Sequence, residues 1–117
     1  MAAERKAKSR MLHVPGLAIN AEPINKLVHE PLRLAILTTL AVHSGMAFTE
    51  LRDALDATDG NISVHSRKLE EAGYLSCKKG YRGRTPRTTF KITAKGRRAL
   101  GEYLDHMEAL IRATRGK

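Results

Sequence analysis

Thr58-Asp-Gly-Asn-Ile-Ser-Val-His-Ser-Arg-Lys-Leu-Glu-Glu-Ala-Gly-Tyr-Leu75, followed closely by Gly80-Tyr-Arg-Gly-Arg-Thr-Pro-Arg87, is the stretch on which the fold turns. Its first part has helical character. Thr58 or Asp59 can cap it, Ile62 and Leu69 return at helical spacing, and Gly73 falls just past the end, where a left-handed backbone is needed. Tyr74-Leu-Ser-Cys-Lys78 changes the period to alternation and reads as a strand. Gly80 and Gly83 supply a turn, and Pro86 is expected to deny its tip a regular ladder. Arg87-Thr-Thr-Phe-Lys-Ile92 then returns as a strand with Phe90 and Ile92 facing inward. A capped helix feeding a basic β-hairpin is the prediction for residues 58–92.

The flanking segments complete the pattern. Phe48 opens a short helix with apolar Leu51, Ala54 and Leu55, for which Thr49 is the expected cap, and Asp56-Ala-Thr58 makes a tight turn. Before it, a helix from Pro31 to about His43 carries Leu34, Leu37, Leu40 and Ala41 on one face. Pro31 costs no hydrogen bond in a first turn, and Gly45 ends the segment. A shorter helix is predicted over Ile24 to His29. Downstream, Thr93 caps a long final helix to about Ala113.

Two short helices joined by a tight turn and followed by a hairpin form the winged helix-turn-helix pattern, in which the helix after the turn enters the DNA major groove. The fold class is therefore α+β and mostly α: a winged helix-turn-helix with a two-stranded hairpin wing and a long C-terminal helix. The predicted organisation is a flexible basic arm over 1–21, the DNA-binding domain over 22–95, a dimerisation helix over 96–113 and a tail over 114–117.

Charge points to the same class. Lys78, Lys79, Arg82, Arg84, Arg87, Lys91, Lys95, Arg97 and Arg98 lie between Glu71 and Glu102 with no acid among them. Of 21 Lys+Arg and 12 Asp+Glu, removing these nine leaves 12 against 12, so the whole formal charge of +9 resides in this one segment. A positive charge so localised implies a polyanionic partner. Aromatic residues, at 4%, are too scarce to build the stacking platforms common in single-strand and RNA binders.

The words themselves resemble a known family. Ile24-Asn-Lys-Leu-Val-His-Glu-Pro-Leu-Arg-Leu-Ala-Ile-Leu37 is similar to the opening of stand-alone winged-helix transcriptional regulators of the MarR/ArsR type. Phe48-Thr-Glu-Leu-Arg-Asp-Ala-Leu55 resembles the first helix of their helix-turn-helix, and Thr58 to Leu75 their recognition helix and following strand. Gly83-Arg-Thr-Pro-Arg-Thr-Thr-Phe-Lys-Ile-Thr-Ala-Lys-Gly-Arg97 resembles the wing and its exit. The resemblance covers roughly 24–112 and implies a homodimeric DNA-binding repressor or activator, with a repressor the preferred reading.

On a helical wheel of residues 59–72, Ile62 and Leu69 mark the core face, flanked by His65, Ser66 and Ala72. Gly60, Val64, Arg67 and Glu71 lie opposite, with Asn61, Ser63 and Lys68 toward the edges. Arg67 can fork onto a guanine, Asn61 can pair with an adenine, Ser63 can donate to a base or a phosphate, and Val64 can pack on a thymine methyl. The expected DNA-binding set is Asn61, Ser63, Val64, Arg67 and Lys68 on the helix with Arg82, Arg84, Thr85 and Arg87 on the wing, which grips the backbone or minor groove. Asp59 is expected to face inward as a cap, because otherwise it would repel a phosphate. Leu100, Tyr103, Leu104, Met107, Leu110 and Ile111 form an apolar stripe expected to pair with a second copy.

Other chemistries lack a signature. No nucleophile–base set, phosphate-binding loop or paired carboxylates appear, so an enzyme is not expected. The five His residues lack metal-ligand spacing, so neither metal nor cofactor is expected. Cys77 is the sole cysteine and alternates inward with Leu75, as a core thiol would. No apolar run reaches the length of a membrane span, and the charged start lacks a secretory pattern, so a cytoplasmic location is expected. A small-molecule effector is compatible with the family but has no residues to mark it. The alternatives are a winged-helix module that binds protein or RNA, and a nonspecific chromatin-type DNA-binding protein.

Overall fold

The structure, a computed structural model, describes residues 24–115. The arm expected over 1–21 lies outside the described residues. Four helices, α1 (Pro31–Val42), α2 (Phe48–Ala54), α3 (Asp59–Glu71) and α4 (Ala94–Arg115), surround a sheet of β1 (Met46–Ala47), β2 (Leu75–Arg82) and β3 (Thr85–Ile92). The sheet is antiparallel with strand order β1-β3-β2. Its inner face and the helices enclose an aliphatic core of Val28, Ile36, Leu37, Leu40, Leu51, Ile62, Leu69, Leu75 and Leu100, closed by Phe90 and Tyr103. Among the described residues, no helix is long and apolar enough to cross a membrane.

Local chemistry sets most of the boundaries. Glu30 caps α1, its carboxylate accepting from the N–H groups of Leu32 and Arg33 at 3.0 Å each, with Pro31 in the first turn as expected. Thr58 caps α3 through Oγ1, which accepts from the Asn61 N–H at 3.1 Å. α3 ends in a Schellman arrangement: the Tyr74 N–H donates to Leu69 O and the Gly73 N–H to Glu70 O, with Gly73 at φ 82°.

The same arrangement closes α2, where Ala57 N donates to Arg52 O and Asp56 N to Asp53 O. Here Asp56, not a glycine, takes the left-handed position at φ 50°. This turn sets the angle between α2 and α3.

Four expectations change. Residues 24–29 form a single turn rather than a helix. Asn25 Oδ1 takes the N–H groups of Leu27 and Val28, and six residues ahead of a proline are too few to nucleate helix against that competition. The segment is instead a strap. Val28 is buried, the Asn25 side-chain amide donates to the Tyr74 hydroxyl, His29 Nδ1 meets the Tyr103 hydroxyl at 2.6 Å, and Leu27 O accepts from Arg33 Nε.

Second, β1 adds a third strand beneath the expected two-stranded wing, pairing Met46 with Phe90 and Ala47 with Thr89. Third, the cap of α2 is Ala47 rather than Thr49. The Glu50 carboxylate reaches back to the Ala47 N–H at 2.8 Å, so Glu50 does the work that a cap at Thr49 would have required of position 52.

Fourth, Pro86 does not break the ladder. It sits in register opposite Tyr81, and pairing continues to Arg82–Thr85. β1 stops at the level of Thr89, so β3 has a free outer edge at Pro86 and a missing N–H costs nothing there. The hairpin closes through Gly83-Arg84, with Gly83 at φ 65° in the position a type II′ turn gives to glycine.

The α3–β2 junction and the start of α4 are locked together by Thr93. Its N–H donates to Tyr74 O at 3.0 Å, and its hydroxyl donates to Gly73 O at 2.6 Å while accepting from the Gly96 N–H at 2.9 Å. Thr93→Ala deletes both hydroxyl bonds and should cost about 1–2 kcal/mol, seen as a lower urea midpoint with unchanged slope; Thr93→Ser should restore most of it.

Candidate nucleic-acid interface

α3 is packed by its inner face alone. Ile62, Ser66 and Leu69 are buried, as the wheel predicted. Asn61, Val64, Arg67 and Lys68 are exposed, and Ser63 is half-buried. Val64, at 47% exposure, is one of the few large apolar side chains the molecule leaves in solvent. Among the described residues no other element covers this outer face, so its side chains are free to meet a groove.

A polar cluster fixes the helix from beneath. His65 is half-buried, and its Nδ1 lies 3.0 Å from Arg33 Nη1 and 3.3 Å from the Glu30 carboxylate. Burial acts to raise the Glu30 carboxyl, but the N–H groups of Leu32 and Arg33, with the neighbouring His65 and the charge of Arg33, outweigh it and hold the group below its ordinary value. Glu30 thus caps α1 and steadies α3 at once. His65, on the flank of the core face, is held in place by this cluster. Nothing in the spacing of Glu30, Arg33 and His65 announced the cluster.

Asp59 corrects its expected orientation. Its carboxylate is exposed and binds Arg52 of α2 at 2.9 Å, while Arg52 Nε also meets Asp53 at 2.9 Å. Thr58 already satisfies the helix start, so Asp59 is free to point away. The Asp59 bond, then that of Asp53, pushes the Arg52 guanidinium up from its ordinary value. Paired with a cation, the carboxylate presents less repulsion to a phosphate than a bare acid would.

The cations of the basic segment divide into two groups. Arg87 is bound to Glu50 at 3.3 Å, Arg97 donates to Ala41 O, and the Lys95 ammonium lies 5.8 Å from the centroid of the Tyr74 ring. Arg87 thus ties the wing to α2, and Arg97 and Lys95 tie α4 to α1 and to the α3–β2 junction. Arg82 and Arg84 at the hairpin end are exposed, and among the described residues neither has an acidic partner within 4.0 Å. At the wing tip the free charge is Arg82 and Arg84, with exposed Thr85 beside them; nearer the body Lys78, Lys79 and Lys91 are also exposed and, among the described residues, without an acidic partner within 4.0 Å. Arg87 turns inward from the set expected on the wing surface.

The stripe on α4 also divides. Leu100 and Tyr103 are buried within the chain's own core, Tyr103 against His29. Leu104 and Ile111 remain 46% and 50% exposed, with Met107 and Leu110 half-buried between them. Cys77 packs at the edge of the core, where burial, aided by the charge of Glu70 against that of Lys79, pushes its thiol up from its ordinary value.

Known proteins share this arrangement. The chain is 37% identical over 79 residues to the uncharacterized protein MJ0432 of Methanocaldococcus jannaschii, a match covering 68% of this chain and 86% of that one. A transcriptional regulator homologue from Pyrococcus horikoshii OT3 superposes with a TM-score of 0.73 at 30% identity, covering 77% of this chain and 89% of the other. MarR superposes with a TM-score of 0.65 at 21% identity over 76% of this chain and 64% of its own, a likeness of fold. The resemblance to MarR-type regulators read from the motifs thus holds in three dimensions. The family described as winged helix DNA-binding domain matches residues 32–111, and the chain belongs to it.

Proposed function

We propose that this chain is a sequence-specific, double-stranded DNA-binding transcriptional regulator that acts as a homodimeric repressor. The observation that carries the reading is that, among the described residues, the outer face of α3 is uncovered and the tip cations of the wing beside it have no acidic partners. α3 would enter the major groove, with Arg67 and Asn61 on base edges, Val64 on a thymine methyl, and Ser63 and Lys68 on the flanks. Arg82, Arg84 and Thr85 would hold the sugar-phosphate backbone beside it.

The exposed half of the α4 stripe supports the dimer. Leu104 and Ile111, with Met107 and Leu110, form an apolar seam that the chain's own core leaves unfinished. A two-fold pairing along that seam would set two recognition helices about one DNA turn apart. The domain boundary follows: residues 22–95 read DNA, and 96–113 both close the core and join the subunits.

Selection from a random duplex pool tests this directly. The purified protein is expected to enrich an inverted repeat whose half-sites are centred about 10–11 base pairs apart. Retention of every duplex without an enriched repeat would instead indicate a nonspecific chromatin-type protein. Far better competition by RNA would indicate an RNA-binding module.

A further inference from the structure

The tip of the wing carries more than charge. β2 and β3 pair without a bulge from Leu75–Ile92 to Arg82–Thr85, so side chains alternate strictly between two faces. Leu75, Cys77, Lys79 and Tyr81 share one face with Ile92, Phe90, Thr88 and Pro86. Near the body that face is the core side: Leu75 and Phe90 are buried, and Cys77 and Ile92 pack against them. Past the end of β1 it runs on, among the described residues, with Lys79, Tyr81 and Pro86 exposed. It finishes in the cross-strand pair Tyr81–Pro86, with Tyr81 76% exposed, the most exposed large apolar side chain among the described residues.

Leaving an aromatic and a proline paired in water gains nothing for the fold, since neither reaches the core. What surrounds them identifies an occupant. Lys79 precedes Tyr81 on the same face, Arg82 and Arg84 follow it, and no acid lies among residues 72–101. Below the pair, a cleft of about 600 Å³ between wing and α2 is lined by Phe48, Thr49, Pro86 and Thr88, with Arg82 and Arg87. An apolar tip ringed by cations matches a surface that is itself apolar inside and anionic at its margins. The minor groove of duplex DNA, with deoxyribose walls between two rows of phosphates, is such a surface.

We infer that Tyr81 and Pro86 form an apolar wedge that seats in the minor groove against sugars and base edges while Arg82 and Arg84 hold the flanking phosphates. The inference rests on the DNA-binding reading above and adds a contact that electrostatics does not supply. It makes Tyr81 a specificity residue. An apolar wedge enters most easily where no purine 2-amino group projects into the groove, so it favours A·T pairs at the wing position.

The test compares wild type, Tyr81→Ala and Tyr81→Phe on the duplex that wild type enriches, each over a salt titration. Tyr81→Ala should bind roughly tenfold to a hundredfold more weakly, from the loss of a buried aromatic side chain. Its dependence on salt should be unchanged, because no cation is lost. Tyr81→Phe should bind like wild type.

On a second duplex carrying G·C pairs at the wing position, replacing each guanine there by inosine removes the 2-amino group but leaves the major-groove pattern intact. This exchange should strengthen wild-type binding several-fold and leave Tyr81→Ala unmoved. Tyr81 is exposed, so the variants should melt with wild type, which circular dichroism checks.

The wedge is overturned if Tyr81→Ala binds as tightly as wild type, if its salt dependence becomes shallower, or if inosine affects both proteins alike. A variant that loses self-association instead of duplex affinity assigns the tip to a second copy and likewise overturns it. If wild type binds no duplex at all, the DNA-binding reading fails, and the wedge with it.

Discussion

Gly96→Ala should destabilise the protein by about 3 kcal/mol or more, lowering Tm by over about 10 °C. A Cβ at this buried position would sit 2.2 Å from Tyr74 O and 3.0 Å from the Tyr74 carbonyl carbon and Ile92 Cγ1. That oxygen cannot retreat cheaply. It accepts from the Thr93 N–H, the Tyr74 N–H is committed to Leu69 O, and Thr93 also holds Gly73 O. Relief of the clash therefore breaks either the end of α3 or the start of α4.

Helix propensity alone predicts the opposite sign, since alanine is better than glycine inside a helix by about 0.8–1.0 kcal/mol. The steric term wins because the opposing atom is backbone pinned from three sides. Gly101→Ala in the same helix is the control. Its Cβ would meet nothing within 4 Å, so the propensity gain should appear there as a raised Tm. Calorimetry of both variants reads the contrast, and a stable Gly96→Ala protein would refute the close approach of α4 to the α3–β2 junction.

The parts of the fold legible in the sequence are those governed by neighbours along the chain. Thr58, Gly73, Pro31 and the Thr93 hydroxyl in its capping bond to Gly96 act within one turn of where they sit, and the change of period at Tyr74 is equally local. What escaped depends on residues far away. β1 is two residues long and is a strand only because Phe90 and Thr89 lie beside it. The 24–29 strap has helical spacing, yet Asn25 and His29 are held by Tyr74 and Tyr103, 49 and 74 positions on. Pro86 looked like a breaker because nothing in its vicinity tells where β1 will end.

The candidate interface divides along the same line. Periodicity identified the core face of α3 and hence its opposite, because burial on a helix follows from angle alone. It could not identify partners. Arg87 reads as a free wing cation until Glu50, 37 positions earlier, is brought to it, and Asp59 reads as a cap until Arg52 claims it. The α4 stripe was visible as a stripe, but its division at Tyr103 depends on where the strap crosses the helix. Tyr81 was the missed residue with a readable signal: it has the same parity as Leu75 and Cys77, so an apolar face could be followed out to the wing tip.

Replacing Arg82 and Arg84 together by alanine should flatten the salt dependence of DNA binding and weaken it for every sequence alike. Each phosphate neutralised by a cation contributes about −0.9 to the slope of log K against log salt, so two lost contacts per wing should remove roughly 1.8, and a pair of wings about twice that. At ~0.15 M salt the same relation gives roughly 0.7 log units per contact, or about thirtyfold per wing. The effect should be sequence-independent because phosphates carry no base identity. Arg67→Ala makes the opposing case: from the middle of the exposed face of α3 it should lose preference at one base position, with a smaller change in slope. Arg87→Ala is expected to behave like neither. Its guanidinium is already bound to Glu50, so its loss releases few counterions and mainly loosens the wing against α2. Fluorescence anisotropy over a salt series, on the enriched duplex and on a scrambled one, separates the three. Equal slopes for the double variant and wild type would mean that the wing tip does not touch the backbone, and the division of work between α3 and the hairpin would fall.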